Sequence, residues 1–209
     1  MLDTFLNRAG SASDGALTAV ARGLHRSGLT PNALTYAALV SGLGAALLFY
    51  NDHGWWAYLV VLLSGLLDAV DGRVARLGPG PTLWGGVLDL LCDRVVEAAI
   101  LLGIAVPHPN WHLPALVVAA TWYVNISVFL TIGAASDRAS AKVIDYPPGL
   151  LERSELLLFA FVVVAFPVLV PGVAYVYAVL EVVTAAQRWR YGRRVLRVEM
   201  TAPPASATS

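Results

Sequence analysis

Residues 68–93 read D-A-V-D-G-R-V-A-R-L-G-P-G-P-T-L-W-G-G-V-L-D-L-L-C-D, four aspartates in a run that is otherwise mostly apolar or small. Val60-Val61-Leu62-Leu63 lies before it, and Val95-Val96 with Ala98-Ala99-Ile100-Leu101-Leu102 lies after it. At its middle, Leu77-Gly78-Pro79-Gly80-Pro81 is a turn, because Pro and Gly interrupt helical runs. The stretch therefore predicts two apolar helices, antiparallel neighbours across a short turn, each bringing acids towards the same surface. Asp68 and Asp71 are three apart, Asp89 and Asp93 four apart, so each pair shares one helix face. At 1.5 Å per residue, Asp68 stands roughly 12 Å and Asp89 roughly 9 Å inside the turn end of its helix.

The rest of the chain says what solvent those helices meet. Of 209 residues, 57% are hydrophobic and 13% charged, against about 25% charged in an average soluble protein. Mean hydropathy is +0.66. These values exclude an ordinary soluble domain and a disordered chain. Fourteen Lys and Arg balance fourteen Asp and Glu, which excludes a nucleic-acid binder relying on basic excess. A single Cys92 excludes an intrachain disulfide framework or a zinc site of cysteine pairs. The predicted fold is all-α, a polytopic membrane protein with about six spans near 33–51, 54–76, 83–106, 112–136, 155–170 and 172–190. The last two are short enough to leave five spans open.

Charge position orients the spans. Arg8, Arg22 and Arg26 precede the first span, Arg73 and Arg76 close the second, and Arg138, Lys142 and Arg153 separate the fourth and fifth. Arg188, Arg190, Arg193, Arg194 and Arg197 end the chain, whereas the alternate loops contain no Lys or Arg. By the positive-inside rule both termini and the acid-bearing surface are cytoplasmic, and Trp55, Trp56, Trp111 and Trp189 stand where an aromatic belt belongs. Residues 1–29 form an N-terminal interfacial segment. In it Asp14 is expected to cap a short helix with Leu17, Val20, Ala21 and Leu24 on one face, lying on the membrane surface. No apolar region follows a basic start early enough for a cleaved signal peptide. Residues 30–198 form the transmembrane domain. The tail, 199–209, is small, polar and Pro-containing, and is expected to be disordered.

An Asp near a helix centre costs about 2.5–3.5 kcal/mol on insertion scales, and like charges this close cannot all ionise without a counter-charge. Hard divalent cations supply one, and an all-oxygen shell suits Mg²⁺ or Mn²⁺. Two ions would balance four carboxylates. Gly72, Ala75, Gly85 and Gly86 remove bulk beside the acids. Such small residues allow either close helix packing or a slot for a phosphate or base, with Arg76 at its mouth.

Written as a pattern, residues 68–93 resemble the complete signature of the CDP-alcohol phosphotransferase family, D-x2-D-G-x2-A-R-x8-G-x3-D-x3-D, with Asp68, Asp71, Gly72, Ala75, Arg76, Gly85, Asp89 and Asp93 at all specified positions. Thr30-Pro31-Asn32 resembles the family's segment near the nucleotide site, although a helix start reads the same way. Pro148-Gly149-Leu150-Leu151-Glu152-Arg153-Ser154-Glu155 resembles the opening of span 5 in phosphatidyl-transferring members. The resemblance implies transfer of a substituted phosphoryl group from a CDP-linked donor, CDP-diacylglycerol in most members, to an alcohol with release of CMP, in phospholipid biosynthesis. It implies metal binding by Asp68, Asp71, Asp89 and Asp93, with Asp93 also the general base, and donor binding by Thr30, Asn32, Gly72, Ala75, Arg76 and Gly85. It further implies a homodimer in a bacterial or archaeal inner membrane, with lipid bilayer, lipid donor and polar acceptor as partners and no nucleic acid.

The acceptor is less legible. Arg138, Lys142 and Arg153 are candidates for binding a phosphorylated acceptor such as glycerol phosphate or inositol phosphate, and a solvated cationic loop accounts for them equally. The Lys-Ala-Arg-Ala-Glu segment of the inositol-phosphate branch is missing from span 4, where Asp137-Arg138-Ala139-Ser140-Ala141-Lys142 stands. A small CDP-polyol or CDP-amino alcohol donor would use the same signature. An ion or proton transporter also places acids in the membrane, but these acids crowd one surface and no broken helix or half-repeat accompanies them. A structural subunit with a relic site is the third reading. Glu97 is expected to partner a neighbouring polar group and Cys92 to be buried packing.

Overall fold

A computed structural model describes the backbone of residues 2–139 and 153–201, and the side chains of residues 14–135 and 157–196. Every regular element among them is helical: α1 (Leu2–Arg26), α2 (Pro31–Tyr50), α3 (Gly54–Leu77), α4 (Leu83–Ala105), α5 (His112–Ala139), α6 (Arg153–Ala165) and α7 (Val170–Thr201), with single 3-10 turns at Pro109–Trp111 and Pro167–Leu169. On length and composition, Pro31–Tyr50, Pro109–Ala135 and Pro167–Leu196 can each cross a membrane. Helices α3 and α4 have 24 and 23 residues but carry the acids, and α6 has 13.

The chain divides into two compact units. Residues 1–109 with 163–165 make the first, where α2 packs against both α3 and α4, and α1 lies on α3. Its interior mixes small residues, among them Ala38, Ala45, Ala46 and Ala57, with larger ones such as Phe49, Ile100 and Leu101. A Cβ on Gly103 would overlap the carbonyl oxygen of Ala46, and one on Gly42 would come within 2.5 Å of Val96. Small side chains bring these backbones together, and many large ones, among them Val40, Leu47 and Leu102, stay on the outside. That is the arrangement lipid solvent favours, since burying Leu away from acyl chains gains little. Ser64 Oγ also donates to the Ala38 carbonyl at 2.8 Å, tying α3 to α2. The second unit, residues 110–162 and 166–209, is organised by α5 packing on α7.

Local chemistry sets the helix starts. Thr30 caps α2, its hydroxyl accepting from Ala33 N with Pro31 at the first position, and Thr82 caps α4, accepting from Gly85 N at 3.0 Å. Both are favoured N-cap residues. Three sequence expectations are corrected. Asp14 is not a cap, because α1 begins at Leu2 and runs through it; its carboxylate pairs with Arg73 instead. Val20 is 44% exposed, so the buried face of α1 is Leu17, Ala21 and Leu24 without it. The break after α6 is Phe166 with the Pro167 turn alone, because Pro171 and Gly172 sit in the first turn of α7, where Pro needs no intrahelical donor. Helix α7 continues to Thr201, into the expected tail, and residues 202–209 lie outside those described.

Candidate metal centre

The last turns of α3 and the first turns of α4 bring three acids together. One carboxylate oxygen each from Asp68, Asp71 and Asp89 lies within 4.8 Å of the other two. Asp71 is buried and the other two half-buried. Thr35 on α2 donates its hydroxyl to Asp71 Oδ2 at 2.6 Å, which aims that carboxylate. Asp89 Oδ1 is buried and accepts no hydrogen bond from the described residues. An orphaned, desolvated carboxylate oxygen is costly, and here it belongs to an all-oxygen donor set with two more carboxylates in reach. The residues therefore fit a hard divalent cation. Asp93 is one turn further along α4, outside the triplet, and close enough to interact electrostatically with Asp89 and Asp71.

A cavity of about 470 Å³ opens beside these acids within the first unit. Asp71 and Asp89 line it, as do five of the six residues expected to bind the donor: Thr30, Asn32, Gly72, Ala75 and Gly85. Arg76, the sixth, is exposed and does not line it; its Nη1 is 3.7 Å from where a Cβ on Gly72 would sit. The two readings of the small residues separate here. Nothing lies within 4 Å of a Cβ added at Gly86, and one at Gly85 would meet only the polar atoms Thr82 Oγ1 and Asn32 Oδ1. Both glycines line the cavity, whereas Gly42 and Gly103 are close-packing glycines of the same unit. The two turns at the cavity rim, 28–30 and 78–82, each contain a glycine in the left-handed region, Gly28 at φ +82° and Gly80 at φ +102°, conformations that L side chains resist.

Motif reading missed Thr35, Thr82 and His25, which also line the cavity. Thr82 was legible as a cap before an apolar run, and Thr35 as a hydroxyl one turn into span 1. His25 arrives only through the docking of α1. Glu97 pairs with Arg94 of its own helix at 2.6 Å, and Cys92 is buried. Arg138 and Arg153 fall on α5 and α6, but their side chains, and all of Lys142, lie outside the described residues.

The second unit has a buried polar group of its own. Asn125 on α5 donates to Glu181 on α7, and Arg188 Nη1 donates to Asn125 Oδ1 at 2.9 Å. Arg188 also lies over the Phe129 ring, 5.2 Å from its centroid, within cation–π range. Asn125 and Glu181 are outside any motif; the signal for Glu181 was a lone carboxylate in an apolar span.

The family model of CDP-alcohol phosphatidyltransferase matches residues 28–189. A phosphatidylinositol phosphate synthase of Mycobacteroides abscessus is 33% identical over 180 residues, covering 81% of this chain and 80% of the relative. An archaetidylinositol phosphate synthase of Pyrococcus horikoshii is 30% identical over 173 residues, covering 82% and 88%. Among solved structures, the phosphatidylinositol phosphate synthase of Mycobacterium tuberculosis with CDP-DAG bound superposes with a TM-score of 0.64 at 29% identity, over 92% of this chain and 98% of that one. The same enzyme in complex with manganese and citrate gives 0.65 at 28% identity, over 92% and 93%.

Proposed function

The chain belongs to the CDP-alcohol phosphatidyltransferase family, and on that footing we propose that it transfers a phosphatidyl group from CDP-diacylglycerol to the hydroxyl of a phosphorylated polyol, inositol phosphate foremost, releasing CMP. The observation that carries this reading is the Asp68–Asp71–Asp89 triplet at the edge of a cavity lined by the family's donor-binding positions. The relatives named phosphatidylinositol phosphate synthase and archaetidylinositol phosphate synthase support the acceptor.

Asp68, Asp71 and Asp89 would hold the divalent cation, Mg²⁺ or Mn²⁺, and Asp93 would help to hold a second. When bound, such ions neutralise a diphosphate and align it for in-line displacement. Thr35, by donating to Asp71, fixes the carboxylate that would take that metal-holding role. Gly72, Ala75 and Gly85 leave room for the nucleotide, and Asn32 presents its amide to the same space. Asp93 accepts the proton of the acceptor hydroxyl as that oxygen attacks the phosphorus bearing the diacylglycerol. The new oxygen–phosphorus bond forms while the bond to the bridging oxygen breaks, and CMP leaves with that oxygen. From the sequence alone, Arg138, Lys142 and Arg153 are assigned to the acceptor's phosphate. The cytoplasmic placement of this chemistry, the bacterial or archaeal setting, the 1–29, 30–198 and 199–209 division and the homodimer stand as proposals of the same kind.

The test is a head-group screen with the purified protein. CDP-diacylglycerol is supplied with inositol phosphate, glycerol phosphate or unphosphorylated alcohols, CMP release is followed, and the lipid is identified by mass spectrometry. Inositol phosphate is expected to give the fastest CMP release. Turnover with an unphosphorylated alcohol alone would refute the acceptor class, and no CMP with any of them would refute the reaction.

A further inference from the structure

Helix α1 contributes nothing to the signature, yet its His25 is part of the cavity lining. Leu17, Ala21 and Leu24 pack with Leu34, Val70 and Val74, and Ala21 is fully buried. Beside this stripe Arg73 donates Nη2 to Asp14 Oδ1 at 2.7 Å and Nη1 to the Ala69 carbonyl at 2.6 Å. Its guanidinium is thus stretched between α3's own backbone and α1. Asp14 and His25 are eleven residues apart, close to three whole turns at 3.6 residues each, so both stand on the same side of α1. The side that meets Arg73 therefore also carries His25 to the turn following α3. There His25 Cε1 stands 3.7 Å from where a Cβ on Gly78 would be, and its ring lines the cavity.

The position suits a particular part of the donor. From Asp71 at the acid end to Gly78 is seven residues along α3, roughly 10 Å at the helical rise. A nucleotide whose phosphates sit at the acids extends its ribose and base over a comparable reach. An imidazole offers a ring face together with one hydrogen-bond donor and one acceptor in its neutral form, all of use against a base or ribose hydroxyls. We propose that His25 contacts the nucleoside end of the CDP-linked donor and that the Asp14–Arg73 ion pair is its positioning device, so that α1 is a wall of the donor site. This inference rests on the functional reading above. Exposed ion pairs contribute little to stability on their own, so breaking this one leaves the apolar stripe of α1 in place and alters chiefly its alignment.

The test uses the full-length protein in lipid nanodiscs, with affinity for CMP measured in the presence of Mn²⁺ alongside KM for CDP-diacylglycerol and kcat. His25→Ala is expected to weaken CMP binding and raise KM about 5- to 10-fold, the scale of one or two lost hydrogen bonds, with kcat within about twofold. Asp14→Ala and Arg73→Ala are expected to do the same by about 3-fold, and the exchange Asp14→Arg with Arg73→Asp to recover at least half of that loss. His25→Gln, which keeps a donor and an acceptor, should fall between His25→Ala and the parent. Unchanged CMP affinity and KM in His25→Ala would overturn the contact. Losses in kcat alone, or none of the expected recovery in the exchange, would overturn the positioning role. A parent protein that binds no CMP would overturn the functional reading and this inference with it, whereas CMP binding indifferent to His25 would overturn this inference alone.

Discussion

Asp89 on α4 and Glu181 on α7 are both acids set in apolar helices, and their surroundings differ in kind. Glu181 accepts from the Asn125 amide, whose oxygen in turn accepts from Arg188. The acid, the amide relay and the guanidinium all come from the chain, so that acid finds its partner within the fold. Asp89 has two further carboxylates beside it and a buried oxygen with no hydrogen-bond partner among the described residues, and Asp71 is met from α2 by a neutral hydroxyl. A buried acid that the chain answers itself holds helices in register; a cluster that it leaves open to a cavity is suited to an ion and a ligand. Intramembrane charge alone does not distinguish function from structure, but the source of the compensation does.

That contrast can be broken most sharply at the catalytic end. Asp93→Asn is expected to lower turnover about 100- to 10,000-fold, the range for losing a positioned general base, in a protein that remains monodisperse and still binds CMP; retained turnover would remove the base assignment. Chelation with EDTA should abolish CMP release and added Mn²⁺ or Mg²⁺ restore it. Saturating Mn²⁺, at about a hundred times its dissociation constant, should stabilise the fold by about 2.7 kcal/mol, a gain read as a rise in unfolding temperature. Asp71→Asn should remove most of that gain and Glu181→Gln none of it.

Stability separates the two acids with opposite signs. Glu181→Ala strips Asn125 of its buried acceptor and is expected to cost about 3 kcal/mol, measured by thermal unfolding in detergent without metal. Asp89→Asn under the same conditions relieves like-charge repulsion and should raise stability by about 1 kcal/mol. A loss at Asp89 equal to that at Glu181 would mean that both clusters are structural. At Thr35→Val, loss of a hydrogen bond to the buried Asp71 carboxylate should weaken Mn²⁺ binding about 10-fold and, by leaving that oxygen without its donor, cost about 1 kcal/mol of stability without metal.

The helices and their ends were legible because membrane solvent permits little else: long apolar runs must be helical to satisfy their backbones, and Gly and Pro mark the interruptions. The break after α6 was overextended in the sequence because Pro171 reads as a stop, although at the start of a helix it is tolerated. Asp14 was misread for a related reason. A lone Asp before an apolar stripe has the appearance of a cap, and only the packing of α1 on α3 turned it towards Arg73.

What the sequence alone determined is the solvent, the helical class and the identity of the four aspartates, since composition and i,i+3 and i,i+4 spacing are local properties. Tertiary structure decided the rest. It chose which three carboxylates meet, set Thr35 on one of them, made the small residues border a cavity rather than a helix contact, and carried His25 to its rim. Each of these depends on the angle and depth at which one helix lies against another, which no spacing along a single helix encodes.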